Sequence, residues 1–254
     1  MKIALVGPTS LEVIAPYLDD GRPSVSCHTF PYIAALAKGY VDAGHDVRIV
    51  CMSEMVTATT HYTGSGISLT LVPQRSSARS KAFDLFSAER HGLYAALKEI
   101  DFDLIHAHWT YEYASAALRY DRNALVTCHD SPLSVLRYYH HPYWWFREAL
   151  SAMTLHRAKN LTVVSPSLHK EVRPFLRRNS RVSMIPNGIE RVSDKVGKAA
   201  MDAKCPVLCS VANGFNSRKN SKVAIQAFDR LRGYVPGASL VLIGEGHEPN
   251  GLAQ

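Results

Sequence analysis

Residues 101–130 read DFDLIHAHWTYEYASAALRYDRNALVTCHD, and this stretch decides the fold. The apolar runs at 104–107 and 125–128 predict two buried strands, and the spacing of apolar residues at 111–120 predicts a helix between them. A crossover helix brings the second strand back parallel to the first. Because strands that are apolar along their whole length are buried on both faces, the stretch predicts a parallel sheet with helices on both sides.

The same alternation extends in both directions along the chain. Earlier residues predict strands and helices, namely strands 3–6, 47–51 and 68–72 and helices 28–43 and 82–99. Later residues predict a helix at 143–157, a strand at 161–164, a helix at 167–176 and a strand at 182–185. After residue 187 the residues become small and polar, and a second series begins with strand 207–211, helix 219–232 and strand 240–243.

We therefore interpret the fold as α/β, with a doubly wound parallel sheet in residues 1–187, a linker at 188–204 and the start of a second domain at 205–254. A strand, a helix and a strand are too little to close a core of their own. The sequence stops at Gln254. We expect this piece either to pack on the first domain or to belong to a fragment.

Composition and charge narrow the classes of function. The net charge of +7 favours anionic partners such as phosphorylated substrates, anionic lipid or nucleic acid. No apolar run approaches the roughly 18 residues of a membrane helix, and the apolar start is too short for a signal peptide. Five scattered cysteines are typical of a reducing compartment. We expect a cytoplasmic protein, with peripheral contact at the inner face of the membrane as a further option.

Candidate site residues follow the predicted strands, because ligands of doubly wound sheets bind at the carboxyl ends of the strands. His129 and Asp130 follow strand 125–128, and alternation places His106 and His108 on one face of strand 104–107. His129 could hydrogen-bond a sugar hydroxyl, or it could be a turn histidine bonded to backbone. A metal site at His106 and His108 would need a third ligand such as Glu112 or His129, and structural hydrogen bonding is the better interpretation.

A second candidate site lies in VANGFNSRKNSKVAIQAF, residues 211–228. Arg218 and Lys219 fall at the predicted start of a helix, where backbone N–H groups already favour an anion. We interpret this segment, with Asn213 and Gly214 in its turn, as a phosphate-binding site. A merely solvated face is the alternative.

The aromatic stretch RYYHHPYWWFREAL, residues 137–150, leaves three interpretations open. It could be a core helix with a loop, a membrane-interface or acceptor surface, or a platform on which nucleic-acid bases stack. The basic run KEVRPFLRRNSR at 170–181 could face solvent or anionic lipid. The sequence lacks the GxSxG, GxxxxGK[ST] and, after its first strand, GxGxxG motifs of other enzyme classes.

Six segments in order resemble the family-4 glycosyltransferases of the GT-B fold, namely KGYVDAGHDVRIVC, DLIHAHW, VTCHDSP, LTVVSPSLHKEV, MIPNGIE, and VANGFNSRKNSKVAIQAF followed by LVLIGEG. The resemblance implies two Rossmann-like domains. It also implies retaining transfer of a sugar from a nucleotide-diphosphate donor to a glycan, lipid or small-molecule acceptor, without a metal or other cofactor, in a setting such as cell-envelope polysaccharide synthesis.

The resemblance also implies roles for particular residues. His129 would touch the transferred sugar, and Arg218 and Lys219, with Asn213 and Gly214, would bind the donor diphosphate. His108, Asp130, Asn187 and Gly188 would line the cleft on the acceptor side.

Two departures from the family pattern bear on these expectations. Ser26, Cys27 and His28 stand where the family often has a Gly-Gly pair, which argues against a phosphate approaching the backbone there. The later Glu-x7-Glu donor segment of the family has no counterpart in these residues. We therefore expect weak or no activity from this chain alone.

Three functions are alternatives to a glycosyltransferase. A non-catalytic binding module or partner subunit derived from a glycosyltransferase is the first, and nucleoside diphosphate binding would distinguish it. A sugar-nucleotide epimerase would need more carboxylates in the cleft. Nucleic-acid binding has no recognised motif, and we expect none.

Overall fold

The computed structural model describes residues 1–19, 21, 23–188, 205–212 and 218–244. The chain divides into two compact units, Met1–Glu190 and Arg191–Gln254. The strands of the first unit are β1 Lys2–Val6, β2 Asp46–Ser53, β3 Thr60–Tyr62, β4 Ile67–Pro73, β5 Leu104–His108, β6 Leu125–Cys128, β7 Asn160–Val163 and β8 Arg181–Met184. Its helices are α1 Leu11–Ile14, α2 Pro31–Asp42, α3 Ala78–Phe83, α4 Ser87–Glu99, α5 Glu112–Tyr120, α6 Pro132–Tyr138, α7 Pro142–Arg157 and α8 Pro166–Val172, with 3-10 turns at Ala15–Tyr17 and Arg173–Phe175.

The eight strands form one sheet in the order β3-β4-β2-β1-β5-β6-β7-β8. All neighbours are parallel except β3, which runs antiparallel to β4. The predicted α/β fold with a doubly wound parallel sheet is confirmed. The antiparallel edge strand was missed, because three residues, THY, carry too little apolar alternation to signal a strand.

Each strand between the edge strands β3 and β8 buries side chains on both faces of the sheet. In β1, Ala4 and Val6 belong to one core with α4 and α5, whereas Ile3 and Leu5 belong to the other with α1 and α2. Successive side chains of a strand point to opposite faces, so a continuous apolar run supplies both cores. This double burial holds the strand ends, and hence the loops that follow them, in fixed positions.

The predicted helix 82–99 is wrong at its start. The chain forms two helices there, since Leu85 and Phe86 have φ of 52° and 60° and interrupt the helix. The break turns Phe86 into the core, where it is 1% exposed. Arg75 holds the turn by ion pairs to Asp84 at 2.9 Å and to Glu89 at 2.6 Å.

Two shorter differences have local causes. The helix predicted at 167–176 changes to a 3-10 turn at Arg173, because Pro174 has no N–H with which to continue the α-helix. The short helices α1 and α6 were not predicted. Each has fewer than two turns, which is too short for a helical period to show.

The described part of the second unit has three elements, β9 Val207–Val211, α9 Ser221–Arg232 and β10 Ser239–Ile243. The two strands pair in parallel. Their apolar side chains remain exposed, for example Val211 at 74% and Ile243 at 50%. In the residues described across both units, no helix is both long enough and apolar enough to span a membrane.

Candidate functional site

The sheet reverses its winding between β1 and β5. From β1 the chain adds β2 and β4 on one side, and from β5 it adds β6, β7 and β8 on the other. Loops diverge at such a switch point and open a crevice at the carboxyl ends of the strands. Gly7 follows β1 there, and a Cβ on it would lie 2.6 Å from Ile33 Cδ1 and 3.1 Å from His108 Cβ. Glycine thus lets the end of β1 pack directly against His108.

Three histidines, His106, His108 and His129, gather beside this crevice, and we call them the histidine cluster. His108 Nδ1 and His129 Nε2 are 3.1 Å apart, and the two rings lie at 19° to each other. The ring centroids of His106 and His108 are 4.3 Å apart, as expected for two residues on one face of a strand. The structure therefore brings together His108 and His129, two of the predicted site residues.

Three hydroxyl groups form a hydrogen-bonded network around His106. His106 Nε2 is 2.7 Å from Thr127 Oγ1, which is 2.6 Å from Thr162 Oγ1. The Tyr40 hydroxyl lies 3.5 Å from His106 Nδ1. These contacts cross three neighbouring strands and one helix, so the ring of His106 has a defined orientation behind His108.

Burial keeps the cluster neutral. It lowers the pKa of His106 to about 4 and that of His129 to about 4, and it lowers the pKa of His108 well below its usual value. A neutral imidazole has one N–H, so in the His108–His129 contact one ring donates and the other accepts. The tautomer of His108 therefore selects that of His129. The second nitrogen of each of these two rings, His108 Nε2 and His129 Nδ1, is buried without a hydrogen-bond partner.

Aromatic rings wall the open side of His129. Phe30 and Tyr32 lie 5.0 and 5.7 Å from its ring centroid. Trp109 lies 5.4 Å from Phe30 and 5.2 Å from His28, and its φ of 63° is unusual for a bulky residue. The prediction of a helix from residue 28 is wrong for residues 28–30, since α2 begins at Pro31. The missed signal was Pro31, which is favoured at the first position of a helix and leaves residues 28–30 free to form this wall.

On the opposite face of the sheet lies a second polar group, the arginine–carboxyl cluster of Tyr111, Glu112, Arg147 and Glu148. Arg147 Nη1 is 3.3 Å from Glu112 Oε2, and the guanidinium stacks 4.0 Å from the centre of the Tyr111 ring. Burial and the charge of Asp130 raise the pKa of Glu148 to about 8, although Tyr111 donates a hydrogen bond to it at 2.8 Å. Glu148 is therefore mostly uncharged at neutral pH.

Glu112, named above as a possible third metal ligand for His106 and His108, does not lie with these histidines in the structure. That residue pairs with Arg147 instead of joining His106 and His108. Within the described residues, no group of three or more His, Cys, Asp or Glu side chains, the histidine cluster included, is arranged so that it could hold a metal ion. Asp130 follows His129 and is half-buried. It lies close enough to Glu148 for its negative charge to raise the pKa of that carboxyl group.

Four further predicted site residues, Asn187, Gly188, Arg218 and Lys219, belong to the described part of the chain. Asn187 and Gly188 are exposed and follow β8, which is two strands, or about 10 Å, from β6. Arg218 and Lys219 belong to the second unit, in the exposed turn before α9. Asn213 and Gly214 lie outside the described residues. The structure thus leaves the roles predicted for these residues as predictions.

The aromatic stretch 137–150 serves two purposes. Its inward side packs, with Tyr139 stacked on Trp144 at 4.8 Å and Arg147 buried. Its outward side on α7 exposes Trp145 at 59%, Phe146 at 45% and, further along, Met153 at 52%. The interpretation as a core helix is therefore correct for one side only.

Comparisons with solved structures identify the architecture. Sucrose-phosphate synthase from Thermosynechococcus elongatus superposes with a TM-score of 0.67 at 18% identity, over 99% of this chain and 64% of that one. A trehalose-6-phosphate protein from E. coli gives 0.64 at 10% identity, over 100% and 66%. A trehalose-phosphate synthase from Burkholderia vietnamiensis gives 0.61 at 11% identity, over 99% and 66%. The fold of the chain is that of the GT-B glycosyltransferases.

The chain spans just under two thirds of the length of these structures, 64% to 66%. No curated protein sequence matches it significantly. A family model, Glycosyltransferase Family 4, matches residues 31–191, which is more than half of the chain and contains the whole histidine cluster. The chain therefore belongs to Glycosyltransferase Family 4.

Proposed function

We propose that the protein is a retaining glycosyltransferase whose donor is a nucleotide-diphosphate sugar. In this reaction the bond between the anomeric carbon and the diphosphate oxygen breaks. A hydroxyl oxygen of the acceptor bonds to the same face of that carbon, and its proton passes to the departing diphosphate. The observation that carries the proposal is the family match over 31–191, because that span holds β5 and β6, whose carboxyl ends carry the neutral histidines.

His129 is the residue we propose to contact the transferred sugar. Its ring is held by His108 and walled by Phe30 and Tyr32, and its unpartnered Nδ1 can exchange a hydrogen bond with a sugar hydroxyl. A neutral imidazole suits this role, since a positive charge would oppose the oxocarbenium-like character of the transition state. Asp130, Asn187 and Gly188 remain our proposal for the acceptor side. We expect no metal to be needed.

On the donor side, Arg218 and Lys219 would neutralise the leaving diphosphate, together with Asn213 and Gly214. The two cations precede the first turn of α9, where the backbone N–H groups of a helix favour an anion. A neighbour in fold, the E. coli trehalose-6-phosphate protein, is bound with UDP-2-fluoro glucose. Another neighbour in fold is a trehalose-6-phosphate synthase whose structure was solved to study enzymatic glycosyl transfer with retention. These observations support a nucleotide sugar as donor and retention as the outcome.

The acceptor class is proposed to include lipid-linked glycans, as in cell-envelope polysaccharide synthesis. The supporting observation is the exposed apolar side of α7, where Trp145 and Met153 are two of the outward side chains. Exposed aromatic residues with nearby arginines, here Arg137 and Arg157, are typical of helices that lie on anionic membranes. We expect the chain to sediment with phosphatidylglycerol vesicles and not with phosphatidylcholine vesicles, and Trp145→Ser to weaken sedimentation about tenfold. Equal sedimentation of the variant would contradict a contact through α7.

Calorimetry tests the donor site. Titration with UDP, GDP and ADP should reveal binding of at least one nucleotide, and Lys219→Ala should weaken it by about 1.5–3 kcal/mol, or roughly 10- to 150-fold, since the lost hydrogen bond is charge-assisted. The matched control is Lys222→Ala, one turn further along and exposed on α9. Binding that both variants leave unchanged would remove Lys219 from the site.

The same titrations separate the two candidate functions. If none of the three nucleotides binds, the donor proposal fails and a non-catalytic module derived from a glycosyltransferase is favoured. We expect weak or no turnover from these residues alone. Where transfer is measurable, His129→Ala should lower it by about 10²–10⁴-fold, and the exposed His91→Ala should not.

A further inference from the structure

We propose that Cys27 and Cys51 form an oxidation site, at which a hydroperoxide converts the two thiols into a disulfide beside the histidine cluster. The chemistry of this pair does not depend on the proposed function. Both cysteines lie in the first unit, whose strands hold them in register.

The two thiols come from different segments that run side by side. Cys51 is near the end of β2, and Cys27 lies in the segment before α2. Ser53 Oγ donates to the Ser26 carbonyl at 2.5 Å, and Cys27 Sγ donates to the Thr9 carbonyl at 2.9 Å. These bonds lay residues 26 and 27 along the end of β2, so that Cys27 packs against the buried core to which Cys51 belongs. The two thiols lie close enough for each to shift the pKa of the other.

The two cysteines differ in accessibility. Cys51 is fully buried in the core, whereas Cys27 is half-buried and lines a pocket of about 90 Å³ together with Ser10, Leu11 and Thr29. A pocket of this size holds several water-sized molecules, and a hydroperoxide is little larger. The oxidant therefore reaches Cys27 and not Cys51.

The two cysteines also differ in acidity. The hydrogen bond from Cys51 lowers the pKa of Cys27, and the same contact, with burial, raises the pKa of Cys51 well above its usual value. Because the thiolate is the reactive form, Cys27 is the nucleophile that attacks the peroxide. Cys51 remains a thiol until it attacks the oxidised Cys27 sulfur. The geometry and the acidity assign the same order to the two residues.

The reaction balances in two steps. The Cys27 thiolate attacks one peroxide oxygen, so that the S–O bond forms, the O–O bond breaks and the other oxygen leaves as water or an alcohol after taking up a proton. The Cys51 sulfur then attacks the Cys27 sulfur, the S–S bond forms, the S–O bond breaks, and the hydroxide takes the Cys51 proton and leaves as water. Two thiols are oxidised and one peroxide is reduced.

The position of the pair gives the disulfide a consequence for the site. Residues 28 and 30 follow Cys27 directly, and His28 and Phe30 pack on Trp109 and His129. A bond that ties residue 27 to β2 displaces the Cys27–Thr9 hydrogen bond and constrains this wall. Only this consequence rests on the proposed function.

Mass spectrometry tests the pair. Cys205 and Cys209 are exposed and would react first, so both are replaced by serine, which leaves three of the five cysteines, Cys27, Cys51 and the buried Cys128. After hydrogen peroxide, unfolding in urea and then iodoacetamide, we expect two of the three thiols to escape alkylation, with reversal by dithiothreitol. Trypsin cuts after Lys38 and Arg48, so the disulfide should appear as a linked pair of separate peptides.

Two variants distinguish the roles. Cys51→Ser should stop the reaction at the sulfenic acid of Cys27, trapped by dimedone, and Cys27→Ser should leave Cys51 fully alkylated after unfolding. Full alkylation of both cysteines in the parent chain after peroxide, or a dimedone adduct on Cys27 without any linked peptide, would overturn the proposal. Neither result bears on nucleotide binding, and absence of nucleotide binding would leave the disulfide result intact.

Discussion

The histidine cluster and the arginine–carboxyl cluster lie at the same edge of one sheet, on opposite faces. In the first, burial lowers the pKa values of three imidazoles until they are neutral. In the second, burial raises the pKa of Glu148 until that carboxyl group is mostly neutral as well, while Arg147 keeps its charge and pairs with Glu112. Desolvation disfavours the charged form of any group, so it shifts acids and bases in opposite directions.

The difference teaches what each cluster can do. In the histidine cluster, two ring nitrogens are buried without a hydrogen-bond partner, and a neutral imidazole can donate from one nitrogen and accept at the other. In the second cluster the buried Arg147 pairs with Glu112 and stacks on Tyr111, which holds α7 to the start of α5, although Glu112 Oε2 and Glu148 Oε2 are likewise buried without a hydrogen-bond partner. We propose that the first cluster contacts a ligand, and we infer from the Arg147–Glu112 pair that the second supports the strand ends.

Removing the buried cation should have the largest effect. Arg147→Met leaves Glu112 buried without its partner, and breaking a buried ion pair in this way costs about 3–5 kcal/mol. Urea unfolding followed by tryptophan fluorescence reports on this unit, because Trp109, Trp144 and Trp145 all lie within it. The matched control, Arg137→Met on the exposed side of α6, should change stability by less than about 0.5 kcal/mol. Equal effects of the two variants would contradict the structural role of the pair.

The alkaline side of the pH profile tests the neutral carboxyl group. Glu148 keeps a proton in the folded chain up to about pH 8, whereas in the unfolded chain it releases the proton near its ordinary pKa of 4.5. Stability should therefore fall as pH rises from 5 to 8, by roughly 3.5 kcal/mol from this group. Glu148→Gln removes the titration and should flatten that part of the profile, and the exposed Glu99→Gln should not. Parallel profiles for Glu148→Gln and the parent chain would show that the carboxyl group is ionised when folded.

The acidic side of the profile tests the histidine cluster, with a slightly smaller effect. The pKa of His106 falls from 6.5 to about 4 on folding, so the unfolded chain takes up a proton first as pH falls through this window. Stability should be complete above pH 6.5 and should drop towards pH 4, by roughly 3 kcal/mol from this residue. His106→Gln should make the drop shallower. His91→Gln, exposed on α4, serves as the control, and a steeper or unchanged drop in His106→Gln would contradict a neutral, buried His106.

Particular residues show how far sequence reasoning reached. The strands of residues 101–130 were predicted because double burial requires continuous apolar runs, and the common face of His106 and His108 follows from strand alternation. For His108 and His129 the sequence predicts only that both lie at carboxyl ends of strands, and it does not predict that their rings meet. The register that pairs His108 with Thr127 brings His108 Nδ1 to 3.1 Å from His129 Nε2.

Other features left no local signal. Arg147 and Glu112 are 35 residues apart, and nothing in either segment indicates that they pair. The break at Leu85 and Phe86 depends on Arg75, nine residues before Asp84, and on a core that accepts the Phe86 ring. Cys27 and Cys51 were predicted only as unpaired thiols of a reducing compartment, and their contact arises from the packing of residue 27 along β2.

The order of the longer strands and helices, the parallel sheet and the residues that follow its strands can be predicted from the sequence, because these depend on periodicity and on turn residues within short windows. Only the tertiary structure decided which of those residues meet, which are neutral and which turn outward. Contacts and desolvation depend on segments far apart in the chain, so that the same imidazole would be cationic in acid on a surface loop and is neutral between β5, β6 and α2.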